Sequence, residues 1–191
     1  MQHIIDTFVN NIVVYLQQFG IPFGCFIVIL ESVVPALPLG VFIAFNMMAF
    51  GILVGFTISW LSTILGCIMA YTFFSKVASN KLERFLKKHP QIMKFKDAFK
   101  NISFSNLVLI VALPFSPAFL INAACGLSKM KFKKFISAIV IGKISIIYFW
   151  GFISKSLLES VTDLKTIISV VALLLISFII SKLVNKKLKI E

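Results

Sequence analysis

The chain has 191 residues, 59% of them hydrophobic, with a formal net charge of +12 and a mean hydropathy of +1.00. That apolar share exceeds the roughly 45–50% of soluble domains, and a chain this short could not make runs such as 52–74 and 166–184 wholly interior, so an ordinary soluble fold is excluded. Runs of about 20 apolar residues match the roughly 30 Å hydrocarbon core of a bilayer, which makes this an all-α integral membrane protein in expectation.

Residues 1–20 place Ile4, Ile5, Phe8, Ile12, Tyr15, Leu16 and Phe19 at helical spacing among polar residues. This predicts an amphipathic helix, lying on the membrane interface or packed as a short helix. Asp6 and the lack of a basic run ahead of it argue against a cleaved signal peptide. Residues 21–50 hold two apolar arms around Pro35, Pro38 and Gly40. Proline lacks a backbone donor and turns the residue before it toward extended geometry, so the helix breaks there. Each arm is too short to span, and the pair predicts a re-entrant hairpin.

Residues 52–74 are long enough to span. Gly51, Gly55, Ser59, Ser62, Thr63, Gly66 and Ala70 recur along them at helical spacing, a stripe on which another helix packs closely. Residues 75–103 form a basic connector with two amphipathic pieces, one carrying Leu82, Phe85 and Leu86, the other Ile92, Met93, Phe95 and Phe99. No lysine or arginine precedes Lys76, and all 19 lie from there on. By the positive-inside rule the connector is cytoplasmic. Residues 104–127 repeat the first pattern, with a second break at Pro114 and Pro117. Basic residues flank both ends of this segment, so it must return to the side it entered from. Residues 132–154 then span outward, 155–165 form a loop, 166–184 span back and 185–191 form a basic tail, which places the C-terminus in the cytoplasm of a multi-pass protein of the cell membrane. The whole reads as one membrane domain of two inverted repeats, each a hairpin plus a transmembrane helix, with an interfacial helix before them and a C-terminal helix after. Five spans with kinked helices form the structural alternative.

Four polar residues stand out in this apolar setting. Glu31 is an intramembrane carboxylate, which costs a few kcal/mol or more and usually faces a cavity or a cationic partner. Lys143, in IVIGKISII, either snorkels to the surface or pairs with Glu31 or a lipid phosphate. Asn46 and Asn122 lie in the second arms of the two hairpins, where an asparagine satisfies backbone freed by the break or binds a headgroup. Lys129, Lys131, Lys133 and Lys134 form a collar suited to anionic lipid, the expected partner in place of nucleic acid. Cys25, Cys67 and Cys125 are solitary and apolar in context, so no disulfide, metal or other cofactor is expected. No catalytic triad, metalloprotease motif or phosphate-cradling loop occurs, and the chain is not expected to be an enzyme.

ESVVPALPLG at 31–40 with FNMMAFG after it, STILGCIMAYTFFSK at 62–76 and ALPFSPAFLINAACGLSKMKFKKFISAIVIGK at 112–143 together resemble the DedA family of bacterial membrane proteins. That family lies within the wider VTT-domain, or SNARE-associated Golgi protein, superfamily, of which this chain looks like a divergent member. The resemblance implies opposed re-entrant hairpins and the movement of lipids between leaflets, with undecaprenyl phosphate the implied bacterial substrate and phospholipid scrambling the implied activity of eukaryotic relatives. Glu31, Pro35 and Pro38 match the family's first hairpin, whereas its second acid would fall at Gly40. Its two arginines would fall at Val111 and Pro117, so a phosphate contact here has to come from Lys143, exposed backbone or the lysine collar. The expected function is therefore a lipid translocator acting on undecaprenyl phosphate or another anionic phospholipid through Glu31, Asn46, Asn122 and Lys143. A non-transporting protein that supports the envelope or assembles a partner through Gly51 to Ala70 is the alternative, and a homo-oligomer is left open.

Overall fold

The computed structural model describes residues 2–33, 39–77, 96–116, 118–159 and 164–187. Pro35, Pro38, Pro117, the connector stretch 78–95 and the last tail residues 188–191 lie outside the described residues. The main helices are α1 (Gln2–Val33), α2 (Leu39–Phe50), α3 (Ile52–Val77), α4 (Phe104–Ala112), α5 (Ala118–Leu127), α6 (Phe132–Glu159) and α7 (Leu164–Lys187), and no strand occurs among the described residues. Apart from short turns, the described residues are helical.

Local chemistry sets the helix ends. α1 turns a corner at Gly20, whose φ of 71° and ψ of −171° suit glycine alone, and Pro22 just beyond has no N–H to continue the ladder. Ser103 caps α4 by accepting a hydrogen bond from the Asn106 N–H at 3.2 Å. Leu113, before Pro114, is extended and stops α4 there. α5 closes in a left-handed turn: the Met130 N–H reaches the Cys125 carbonyl at 3.2 Å, the Lys129 N–H reaches Gly126 at 3.0 Å, and Lys129 takes φ 52°. α6 continues to Glu159, through part of the loop expected at 155–165, since no glycine or proline between 152 and 163 stops it.

Two helices, Ile52–Lys76 and Phe132–Ile153, are long and apolar enough to cross a membrane. They run antiparallel: the Trp60 indole donates to the Val140 carbonyl at 3.1 Å at one level, and Tyr71 stacks on Phe135 with centroids 4.4 Å apart at another. The polarity of α3 is reversed relative to a helix in water. Gly55, Ser59, Ser62, Thr63, Gly66 and Ala70 face inward, while Leu53, Leu61, Leu65, Met69 and Phe73 are half or more exposed. Large apolar side chains turned outward over a small, hydroxylated interior suit a lipid surround. α7 is apolar on nearly every side, with Ile168–Val184 its membrane-like stretch.

The short helices fill the space between the long ones. α5 is buried at every position from Ile121 to Leu127. Glycines set how near the helices come: an added Cβ would lie 2.5 Å from Ser32 at Gly66, 2.5 Å from the Met47 Cα at Gly55, 2.7 Å from the Tyr71 carbonyl at Gly126 and 2.6 Å from Val111 at Gly142. So α1, α2 and α5 press on α3, and α4 presses on α6. The connector's last part joins this core, with Phe99 fully buried and Ile102 nearly so among Leu107, Ile110 and Phe135. Phe99 therefore packs into protein and does not face the membrane surface.

Gly66→Leu should overpack the α1–α3 contact at a cost of about 1–3 kcal/mol, whereas Leu65→Val on the outer face should stay within about 0.5 kcal/mol. Thermal unfolding of the detergent-solubilised proteins separates the two.

Candidate functional site

The polar residues of the interior gather where the first break, the second break and both long helices meet. Glu31 lies near the end of the first arm, next to buried Ser32, whose side chain presses on Gly66 together with the Ile29 carbonyl. Cys67 follows Gly66 and lies beside Asn122 of α5. Lys143 follows Gly142 in α6 and is 2% exposed. It lies within reach of the Glu31 charge, and the Ser32 hydroxyl also meets the Glu31 carboxylate. Lys143 thus faces the interior and does not snorkel.

A repeated local pattern builds this arrangement. Ser32 and Val111 each stand three residues before a proline, Pro35 and Pro114. Each presses on a glycine of the long helix that follows its own break, Gly66 and Gly142. The residue after that glycine, Cys67 in one case and Lys143 in the other, enters the polar cluster. Val111 occupies the place where the family resemblance calls for an arginine, and the cation comes instead from α6, one residue beyond the glycine that Val111 touches.

A small cleft, roomy enough for about one water, lies on the α4–α5 side of this cluster, lined by Val111, Ser116, Ala118, Ile121, Asn122, Ile139, Lys143 and Ile146. Two buried polar atoms of its lining, Ser116 Oγ and Asn122 Nδ2, have no hydrogen-bond partner in the protein, nor has Glu31 Oε2 within electrostatic range of Lys143. Each such atom costs about 1–3 kcal/mol when left unmade, and buried polar atoms are nearly always paired. Their concentration beside one buried cation is the signature of a site that expects water or a ligand. Lys143, Ser116 and Asn122 offer donors, which favours an anion, with Glu31 as the competing acceptor.

The four expected path residues do not form one set. Glu31, Asn122 and Lys143 come together, but Asn46 lies one helical stretch away. Its Nδ2 donates to the Gly24 carbonyl at 3.3 Å and to Ser59 Oγ at 3.1 Å, pinning α2 to α1 and α3. Gly24 is glycine for the same reason, since a Cβ there would lie 2.5 Å from Asn46 Oδ1. Asn46 is a packing residue. Gly40 is likewise occupied: an added Cβ would lie 2.5 Å from the Trp150 ring, so no acid fits where the family's second one would fall. Pro114 is partly exposed in the turn after α4.

Within the lysine collar, Lys129, Lys131 and Lys133 are exposed around the start of α6, whereas Lys134 donates to the Ile102 carbonyl and secures the connector. Sequence reasoning passed over Ser116 and Cys67. Ser116 had a signal, as the one hydroxyl between the two prolines of LPFSP; Cys67 had none, because only the α3–α5 crossing sets it beside Asn122. Among the described residues no group of three or more His, Cys, Asp or Glu could hold a metal.

Comparison with known proteins bears on this arrangement. The VTT domain family matches residues 37–156, a stretch that includes α2, both long helices and the second break. The chain is similar to "Uncharacterized membrane protein YhjE" of Bacillus subtilis (strain 168), 28% identical over 164 residues, 85% of this chain and 79% of that protein. It is also similar to "Uncharacterized protein YqeD" of the same organism, 25% identical over 127 residues, 66% of this chain and 61% of that one. No solved structure matches the chain.

Asn46→Leu should cost about 1–3 kcal/mol through the lost bonds to Gly24 and Ser59, while Asn122→Leu, which removes a buried donor without a partner and so its penalty, should be neutral or stabilising. Thermal unfolding in detergent measures both.

Proposed function

This chain belongs to the VTT domain family and is a membrane protein, and from that premise we propose that it moves anionic lipid, undecaprenyl phosphate or another phospholipid with an exposed phosphate, between the leaflets of the cytoplasmic membrane. The observation that carries the reading is the cluster itself: Glu31, Asn122, Ser116 and Lys143, with three unpartnered polar atoms, in a bundle whose outer surface is apolar. A phosphate headgroup accepts what Lys143, Asn122 and Ser116 donate, and charge-assisted bonds of this kind are the strong ones. Its tail stays in lipid.

The insertion that serves this function is two opposed re-entrant hairpins, α1–α2 and α4–α5. Their support is length and burial. α2, α4 and α5 have 12, 9 and 10 residues, against the roughly 20 needed to span. A broken helix is tolerated at membrane depth only inside protein, and α5 is buried from Ile121 to Leu127. Basic residues place the start of α6, with Lys129, Lys131 and Lys133, on the cytoplasmic side, where they concentrate anionic lipid. Lys143 lies within electrostatic range of Glu31, which balances its charge when no headgroup is present. The reading needs no bond-making chemistry, so the protein is not an enzyme on this view.

The alternative is a non-transporting protein that supports the envelope or assembles a partner through Gly51 to Ala70; within that stretch Gly55, Ser59, Gly66 and Ala70 are buried and Gly51 is exposed, so a partner would have to dock at the Gly51 end.

In proteoliposomes holding fluorescent polyprenyl phosphate or fluorescent phosphatidylglycerol, Glu31→Gln and Lys143→Met should each slow movement by roughly 10–100-fold, the loss of about 1.5–3 kcal/mol for a bond to a charged group. The double variant leaves no uncompensated buried charge and controls for folding. Single variants as fast as wild type would overturn the path.

A further inference from the structure

We propose that Trp150 is the residue that seals the polar cluster at the end of α6 away from the lysine collar, so that its ring decides whether the cleft can be reached from that side. This rests on reading the cluster as a headgroup path.

Trp150 stands seven residues after Lys143, two helical turns on and on the same face of α6, about 10 Å further along the axis. Ile146 lies between them and lines the cleft. Both breaks converge on the Trp150 ring. From the first, Gly40 at the start of α2 comes so near that an added Cβ would lie 2.5 Å from the ring. From the second, Phe115 meets it edge to face, centroids 6.1 Å apart at 71°, and Ser116, the next residue, lines the cleft. Phe149 adds a second edge contact to Trp150 at 5.4 Å, and Phe178 of α7 backs Phe115 at 5.7 Å. Beyond these rings the protein thins out: Phe115 is 37% exposed and Trp150 is partly exposed. The Phe115–Trp150 pair thus lies next to two residues of the cleft, Ser116 along the chain and Ile146 one turn back on α6.

The contacts that hold this pair are ones that can open. An edge-to-face aromatic pair is worth about 0.5–1.5 kcal/mol beyond its buried area, far less than the packing of α3 against α1 and α5. The glycine opposite the ring supplies a flat seat with no side chain to interlock. Phe115 sits in a turn and not in a helix. A small displacement of Phe115 and Trp150 would thus expose the cleft without disturbing the helices that build it.

Accessibility tests this apart from transport. With Cys25, Cys67 and Cys125 replaced by alanine, Ser116→Cys reports on the cleft through its rate of reaction with a charged, water-soluble maleimide. In the sealed protein the reaction should be slow, because Ser116 Oγ is buried. Trp150→Ala should speed it by roughly tenfold or more, as expected when a minor open state becomes dominant, and Trp150→Phe should restore most of the protection. Gly40→Ala, which pushes a methyl into the ring's seat, provides a second route to the same opening should Trp150→Ala fail to fold. Unchanged labelling in folded, monodisperse Trp150→Ala or Gly40→Ala protein overturns the seal. The lipid assay distinguishes the two ideas: no lipid movement by wild type with labelling that still depends on Trp150 removes the path and keeps the seal, whereas lipid movement with labelling indifferent to Trp150 removes the seal and keeps the path.

Discussion

The rest of this structure depends on where an interrupted helix can put its unpaired peptide groups. A helix end offers up to four N–H or C=O groups without partners, and hydrocarbon can bond none of them. This chain interrupts its apolar helices twice, at the prolines after Glu31 and at LPFSP. The answer on the second interruption is enclosure: α5 is buried at every position from Ile121 to Leu127. Enclosure in turn requires the long helices to admit short ones at close range, which explains why α3 carries Gly55, Gly66 and a run of serines and threonines on the face where a soluble helix would carry leucine.

Close approach has a consequence for charge. Once glycines let α1 and α4 lie directly on α3 and α6, the side chains next to those glycines are delivered to one place. Ser32 on Gly66 and Val111 on Gly142 are two instances of one contact, and Cys67 and Lys143 are what each delivers. A buried lysine is costly alone, and the half-buried Glu31 within its electrostatic range offsets part of that cost, leaving polar groups inside an apolar bundle. Polar function and helix packing are here set by the same residues, so substituting a glycine in this core would move the charges as well as the helices.

Particular residues show how far a sequence can be read. The breaks, the long apolar segments and the unusual standing of Glu31 and Lys143 were legible, because proline geometry and the cost of charge in hydrocarbon act locally and do not need a partner to be noticed. The two asparagines were not distinguishable: both are buried second-arm residues, yet Asn46 spends its amide on Gly24 and Ser59 while Asn122 keeps Nδ2 unbonded. Lys134 looked like its neighbours in KMKFKK, and only the fold turns it back onto the Ile102 carbonyl. Gly40 looked like a lost acid, and the fold shows a tryptophan ring in the space a side chain would need.

The sequence by itself determined that the protein is helical, that it lives in a membrane and that its helices break at two proline-marked points, since hydropathy, helix length and backbone donors are properties of single segments. Only the tertiary structure decided which polar residues meet. Glu31 and Lys143 are separated by more than half of the chain, and nothing along that length says that one faces the other. Their meeting depends on which face each helix turns inward, and that is settled by steric fit between helices: by Ser32 against Gly66, Val111 against Gly142, and α5 buried among them.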